Sequence, residues 1–123
     1  MGRHCGWLTA ATARKYRSYL LDKEFNSKVL LNKKNWDIDA IYIPEMKIDL
    51  KKEASRLKQT MEDKGNVNIF LSEGSCQKEI LSDMKSNNQE IETDAFGHVR
   101  LDKINPGEWF SKQFSSKIGA EKT

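Results

Sequence analysis

Apolar residues recur at the spacing of an amphipathic helix in three stretches of the chain. In each stretch they fall three or four positions apart, which places them on one face of a helix. Asp49 is a suitable N-cap, Gly65 a suitable C-terminal stop, and Asn105 followed by Pro106 a suitable start for the last helix. The pattern predicts helices over residues 7–21, 49–64 and 77–85, and the start signal at Asn105 predicts a fourth over 106–118 with a stop at Gly119.

Two short runs of β-branched and aromatic residues lie between the predicted helices. The run 38–44 reads IDAIYIP and is stopped by Pro44, and the run 66–71 reads NVNIFL. Residues 23–35 are polar and irregular, and residues 91–101 fit no single element. The order helix, strand, helix, strand, helix builds a parallel sheet flanked by helices, so the predicted fold class is α/β.

The composition is that of one domain with a thin core. A length of 123 residues suits one domain of ordinary size and is too short for two. Leu, Ile, Val and Phe make up 27 residues, or 22%, which is low for a folded chain. The 21 basic and 18 acidic residues are interleaved and leave a net charge of +3, so no basic stripe for a nucleic acid is formed. We therefore expect no nucleic-acid partner.

Two other classes of protein are also disfavoured. The sequence has no run of 18 apolar residues and no apolar signal segment, so we expect no membrane span and a cytoplasmic location. Cys5 and Cys76 lie far apart without metal-spaced neighbours, so we expect no zinc site and predict that both are small buried residues. The larger aromatic residues are predicted to lie in the core: Trp7, Trp36, Trp109, Phe110 and Phe114.

Two carboxylates follow the predicted strands. Ligands of parallel α/β sheets bind at the carboxyl ends of the strands, which makes Glu45 and Glu73 candidates. Glu73 precedes Gly74, whose missing side chain lets a ligand approach, and its carboxylate could accept hydrogen bonds from sugar hydroxyls. A plain turn residue is an equal alternative at Glu73, and at Glu45 a solvated loop acid is the better interpretation.

The basic run GRHCG at residues 2–6 directly precedes the first predicted helix. The amides at a helix N-terminus favour an anion, and Arg3 can hold phosphate oxygens through two parallel donors. Gly2 and Gly6 would keep the backbone clear of the ligand. Without further context, this motif favours the alternative of an ordinary capped helix with a surface arginine.

In chain order, these motifs together resemble the phosphofructokinase family, and most of all its pyrophosphate-dependent branch. MGRHCGWLTAATA resembles the family's MGR substrate segment and the helix after it, IYIPEM a strand and loop, and VNIFLSEG the strand that ends in a substrate-binding glutamate. DAFGHVRLDKINPGEWF and IGAEKT resemble the stretch that leads toward a later substrate loop. The resemblance covers essentially the whole chain and implies a partial Rossmann-like parallel sheet flanked by helices.

The resemblance also implies a function and site residues. The family phosphorylates fructose 6-phosphate to fructose 1,6-bisphosphate in glycolysis, here with pyrophosphate favoured over ATP as the donor. Met1, Gly2 and Arg3 would line the fructose 6-phosphate site, and Glu73 would bind the sugar. The family's GGDD or GGDG donor loop, its TID motif and its later tyrosine and arginine loop have no counterpart in this sequence.

Because those motifs are missing, the catalytic groups and the Mg²⁺ ligands are expected outside this segment. Residues 1–123 are thus predicted to be a partial phosphofructokinase domain that is inactive alone and homo-oligomeric at full length. A non-enzymatic module that binds RNA or another anion, and a sugar-phosphate sensor, stay open as alternatives. An excised piece would also explain the thin core, and would leave the strand faces at Ile41 and Ile69 partly uncovered.

Overall fold

In a computed structural model of the chain, the residues described are 5–25, 32–88, 91–97, 99–100 and 104–118. Within these ranges the elements, in chain order, are α1 (Trp7–Leu21), α2 (Lys33–Trp36), β1 (Ala40–Tyr42), α3 (Leu50–Lys64), β2 (Ile69–Leu71), α4 (Gln77–Ser86) and α5 (Pro106–Ile118). Helices flank a parallel sheet, which confirms the α/β class and fits a partial Rossmann-like fold.

The sheet of the described chain has two parallel strands, joined by α3 as a crossover. Ile41 of β1 lies opposite Phe70 of β2, with one more residue pair on each side. The strands are shorter than the runs 38–44 and 66–71 that the sequence predicts, because the chain leaves the sheet in turns and loops at both ends of each run.

The main core lies between one face of the sheet and helices α3, α4 and α5. Leu57 and Ile80 are almost fully buried there, and Tyr42 reaches the same cluster from β1. The rings of Phe110 and Phe114 stack with their centroids 4.3 Å apart, and the Tyr42 ring lies 5.0 Å from Phe110. The predicted core positions of both phenylalanines are therefore confirmed.

Helix α1 packs on the opposite face of the sheet. The Tyr16 ring lies 5.5 Å from the ring of Phe70, and the Arg17 guanidinium donates a hydrogen bond of 2.8 Å to the carbonyl of Ile38. The helices do not completely cover either face of the sheet, since Ile41 and Ile69 are each only half-buried. The prediction of partly uncovered strand faces is confirmed.

The helix boundaries agree closely with those predicted from periodicity and caps. The Asp49 carboxylate accepts hydrogen bonds of 3.1 Å from the amides of Lys51 and Lys52, and Gly65 ends α3 in the left-handed conformation at φ +78°. Asn105 accepts from the Glu108 amide at the start of α5, while the predicted stop at Gly119 lies outside the described residues. None of the described helices is long and apolar enough to cross a membrane.

One short helix and three side-chain positions differ from the sequence predictions. The predicted irregular run 23–35 overlaps α2, a single turn capped by the side chain of Asn32. Cys5 is exposed, and Trp7 and Trp36 are 66% and 50% exposed. Cys76 is buried and Trp109 packs partly buried against the core, as predicted.

Candidate functional site

Three segments meet at the carboxyl end of the sheet. They are the turn that follows β1, the turn that follows β2, and the start of α1. In a parallel sheet this end is where ligands bind. It is therefore the candidate site.

The turn after β1 is tied to the start of α1 by a carboxylate. Glu45 accepts hydrogen bonds from the Gly6 amide on both of its oxygens, Oε1 at 2.9 Å and Oε2 at 3.1 Å. Gly6 is the N-cap residue of α1, which has no side-chain cap of its own and no acidic residue in its first turn. Glu45 thus supplies, from 39 residues away, the negative charge that favours a helix N-terminus.

Gly6 is required at this point because the two segments approach closely. It is buried, and a Cβ added to it would overlap the Cβ and Cγ2 atoms of Ile43 and lie 2.8 Å from Oε2 of Glu45. Ile43 Cβ is fixed to the backbone just beyond β1, so it cannot move aside cheaply. The sequence prediction gave Gly6 the role of clearing space for a ligand, whereas in the structure it clears space for Ile43.

Glu45 was predicted to be a solvated loop acid, and this was only half right. The residue is exposed, but its carboxylate is engaged by a backbone amide. No local pattern signals this contact, since its partners are far apart in sequence. A glycine before an uncapped helix, together with a glutamate after a strand, was the available hint.

The turn after β2 is anchored to the last residue of β1. The Tyr42 carbonyl accepts two hydrogen bonds of 2.9 Å, one from the Ser72 amide and one from the Ser75 hydroxyl. Ser75 is fully buried, and Cys76 takes the left-handed conformation at φ +58° as α4 begins. These contacts fix the backbone of the turn in which Glu73 lies.

Glu73 itself is exposed at the tip of this turn. Among the described residues, its carboxylate has no hydrogen-bond or ion-pair partner. The neighbouring Gly74 is buried, so the turn packs inward through its backbone while the Glu73 carboxylate faces water. An exposed carboxylate on a fixed turn is free to accept hydrogen bonds from a ligand.

The other three predicted site residues, Met1, Gly2 and Arg3, lie outside the described residues. The described chain begins at Cys5, directly before the Gly6 contact with Glu45. The structure thus brings together the start of α1 and the turn after β1, and holds Glu73 on the neighbouring turn. It leaves the contact of Arg3 with a ligand as a prediction.

A polar cluster lies beside β1 on the α3 side. The Tyr42 hydroxyl donates a 2.6 Å hydrogen bond to Glu53 Oε2, and Arg56 donates to the same carboxylate through Nη2 at 2.7 Å and Nε at 3.2 Å. The Arg56 bond lowers the pKa of Glu53, with Tyr42 adding to the effect, while Glu53 raises the pKa of Arg56. Burial, more than the Glu53 hydrogen bond, raises the pKa of Tyr42. All three groups are partnered, so the cluster is structural.

Within the described ranges, no three His, Cys, Asp or Glu side chains gather into a group that could hold a metal ion. The expectation that Mg²⁺ ligands lie outside this segment stays a prediction.

The whole chain aligns with proteins named pyrophosphate--fructose 6-phosphate 1-phosphotransferase. It is 51% identical to the one from Propionibacterium freudenreichii subsp. shermanii and 49% identical to the one from Methylomonas methanica, over all 123 residues of this chain. It is 49% identical to the one from Mastigamoeba balamuthi over 122 residues. In each case the chain spans 30% of the relative's length.

No protein-family model and no solved structure matches the chain. The assignment therefore depends on these relatives, which agree with one another and cover the chain almost from end to end. The resemblance read from the motifs, including its pyrophosphate-dependent branch, is confirmed. By sequence, the chain is similar over its whole length to a segment of these phosphotransferases and spans about 30% of their length.

Proposed function

We propose that this chain is the sugar-phosphate-binding part of an enzyme that transfers a phosphoryl group from pyrophosphate to fructose 6-phosphate. The observation that carries the proposal is the 51% identity over all 123 residues to a protein named for that reaction. In the transfer, the 1-hydroxyl oxygen of the sugar forms a bond to phosphorus, the bridging P–O bond of pyrophosphate breaks, and orthophosphate leaves. The hydroxyl proton is released in the same process.

In this proposal two parts of the candidate site bind the sugar phosphate. Arg3, with Met1 and Gly2, contacts the substrate phosphate, for which a guanidinium supplies both charge and paired donors. Glu73 accepts hydrogen bonds from sugar hydroxyls. Its exposure and the buried anchoring of its turn by Ser75 support this role, because the carboxylate is free while its backbone is fixed.

The donor and its metal ion lie elsewhere in this proposal. When bound, Mg²⁺ would neutralise charge on the phosphates; within the described part of the chain, no three His, Cys, Asp or Glu side chains gather to hold it. With neither the metal nor a catalytic base supplied, the 123-residue chain alone is expected to be inactive. A cytoplasmic location and a homo-oligomeric full-length enzyme remain predictions.

A segment exchange tests the proposal. The matching 123 residues of the Propionibacterium freudenreichii relative are replaced by this chain, and formation of fructose 1,6-bisphosphate from pyrophosphate is followed. We expect activity in the exchanged enzyme. Arg3→Ala and Glu73→Gln should each raise the KM for fructose 6-phosphate about tenfold or more and leave the KM for pyrophosphate nearly unchanged.

Matched controls keep charge loss separate from loss of the site. Arg14→Ala on α1 and Glu62→Gln on α3 remove the same charges from exposed helix positions, and should leave both KM values unchanged. If the exchanged enzyme does not turn over, equilibrium binding of fructose 6-phosphate decides instead. Binding that is equally tight in the site variants and the controls would refute the proposed roles, and turnover by the 123-residue chain alone would refute its inactivity.

A further inference from the structure

We infer that Glu45 is a positioning residue for the substrate segment at residues 1–3. It acts through the Gly6 amide and touches no substrate itself. The inference goes beyond the proposed function but rests on it, because it assumes that Arg3 binds the sugar phosphate. The strand-end pattern makes Glu45 a candidate ligand residue, but neither that pattern nor the relatives' names indicate a positioning role for it.

The geometry of the contact fixes Gly6, the residue at which the described start of α1 meets the turn after β1. Both Glu45 oxygens accept from one amide, at 2.9 and 3.1 Å, so the carboxylate holds the Gly6 N–H from two sides. A charged acceptor makes this stronger than a neutral hydrogen bond. Gly6 is the N-cap of α1, so the contact sets where the helix begins and where the preceding chain enters.

Arg3 lies three residues before Gly6, so its Cα can be at most about 10 Å from the anchored glycine. Gly6 is thus the point where the substrate segment joins the described chain, and a displacement of Gly6 shifts the range of positions that Arg3 can reach. Misplacing a substrate-binding group by about 1 Å can cost up to about 100-fold in rate. Holding Gly6 in place therefore limits where the Arg3 guanidinium can meet the substrate phosphate.

The contact also joins the helix to the sheet. Ile43 and Glu45 both follow β1 directly, and both would clash with any side chain at Gly6. The start of α1 thus rests against a strand end of the sheet rather than against solvent. Residues mounted on such a support are held more precisely than those on a free loop.

The sign of the expected effect separates positioning from electrostatics. A carboxylate near a phosphate site repels the phosphate, so if Glu45 acted only through its charge, its removal would tighten fructose 6-phosphate binding. If it positions the segment, removal weakens binding despite the relief of repulsion. The two readings therefore predict opposite changes in KM.

The test uses the same exchanged enzyme with substitutions at Glu45. Glu45→Ala, which removes both acceptors, should raise the KM for fructose 6-phosphate about tenfold, with the KM for pyrophosphate and kcat changed less than about twofold. Glu45→Gln keeps one acceptor oxygen and loses the charge, so it should restore most of the affinity. Glu62→Gln on α3 is the charge-matched control and should leave all three constants unchanged.

A second variant perturbs the same contact from the other side. Gly6→Ala should displace the Glu45 carboxylate and raise the KM for fructose 6-phosphate in the same direction. If either variant fails to fold at the assay temperature, equilibrium binding is measured at lower temperature. A KM that is unchanged or lowered in Glu45→Ala while Arg3→Ala raises it would overturn this inference alone. No effect of Arg3→Ala would instead overturn the proposed function.

Discussion

The Tyr42 hydroxyl offers a sharp test of what stabilises the link between β1 and α3. Its 2.6 Å hydrogen bond goes to a carboxylate that Arg56 also binds, and Tyr42 is only 4% exposed. Tyr42→Phe keeps the ring that packs 5.0 Å from Phe110 and removes only the donor. The change in the free energy of unfolding therefore reports on one hydrogen bond.

Its size follows from the surroundings. A hydrogen bond to a charged group contributes roughly 1.5–3 kcal/mol. The Glu53 side chain is 21% exposed, so water can partly replace the lost donor, and we expect about 1.5 kcal/mol. With a urea dependence of roughly 1–3 kcal/mol per M, the unfolding midpoint should fall by about 1 M.

Urea unfolding at neutral pH, followed by helical circular dichroism, measures this change. Glu53→Gln and the double variant complete a cycle whose coupling energy should be about 1 kcal/mol. Tyr19→Phe, at a tyrosine that is 54% exposed, is the matched control and should shift stability by less than about 0.5 kcal/mol. A Tyr42→Phe midpoint equal to that of this control, or a coupling energy of zero, would show that the reasoning is wrong.

Two further predictions concern ionisation and thiol reactivity. Because the hydrogen bond from Arg56 holds the pKa of Glu53 below its ordinary value of 4.5, this carboxylate stabilises the fold above that pH. The stabilisation should be lost as the pH falls below 4.5 toward the folded-state pKa, and acid titrations of Glu53→Gln should show a flatter loss; an identical curve would contradict this. Burial raises the pKa of the Cys76 thiol to about 11, while Cys5 is exposed, so a thiol reagent at neutral pH should label Cys5 quickly and Cys76 only in denaturant. Two equally fast thiols would show that Cys76 is not protected.

The elements that sequence reasoning located correctly are those with local signals. Helix α3 carries its start at Asp49, its apolar face and its stop at Gly65 within one continuous stretch. Helix α2 was missed because four residues are too few to show a period. The strands were predicted at the correct places but with too many residues. The last hydrogen-bonded pair depends on the partner strand as well as on the strand's own residues.

The candidate site was less predictable for the same reason. The strand-end position of Glu73 follows from the chain order alone, but the Glu45 contact with Gly6 joins residues 39 positions apart. The exposure of Trp7 was also not predictable, because the apolar pattern of a helix does not show which of its residues another element covers. A contact between residues far apart in sequence, or the lack of a covering element, cannot be predicted from local composition.

The parallel pairing of β1 and β2 also determines the order in which the chain can fold. Parallel strands cannot form as a hairpin, so residues 43–68 must close into a loop before the first hydrogen bond between the strands is made. Each strand has only three residues, so the hydrogen bonds between the strands offset little of the entropy lost in closing the loop. Helix α3 lies within this loop and is built from local hydrogen bonds, so it should be structured before the strands pair, and the sheet should form after it.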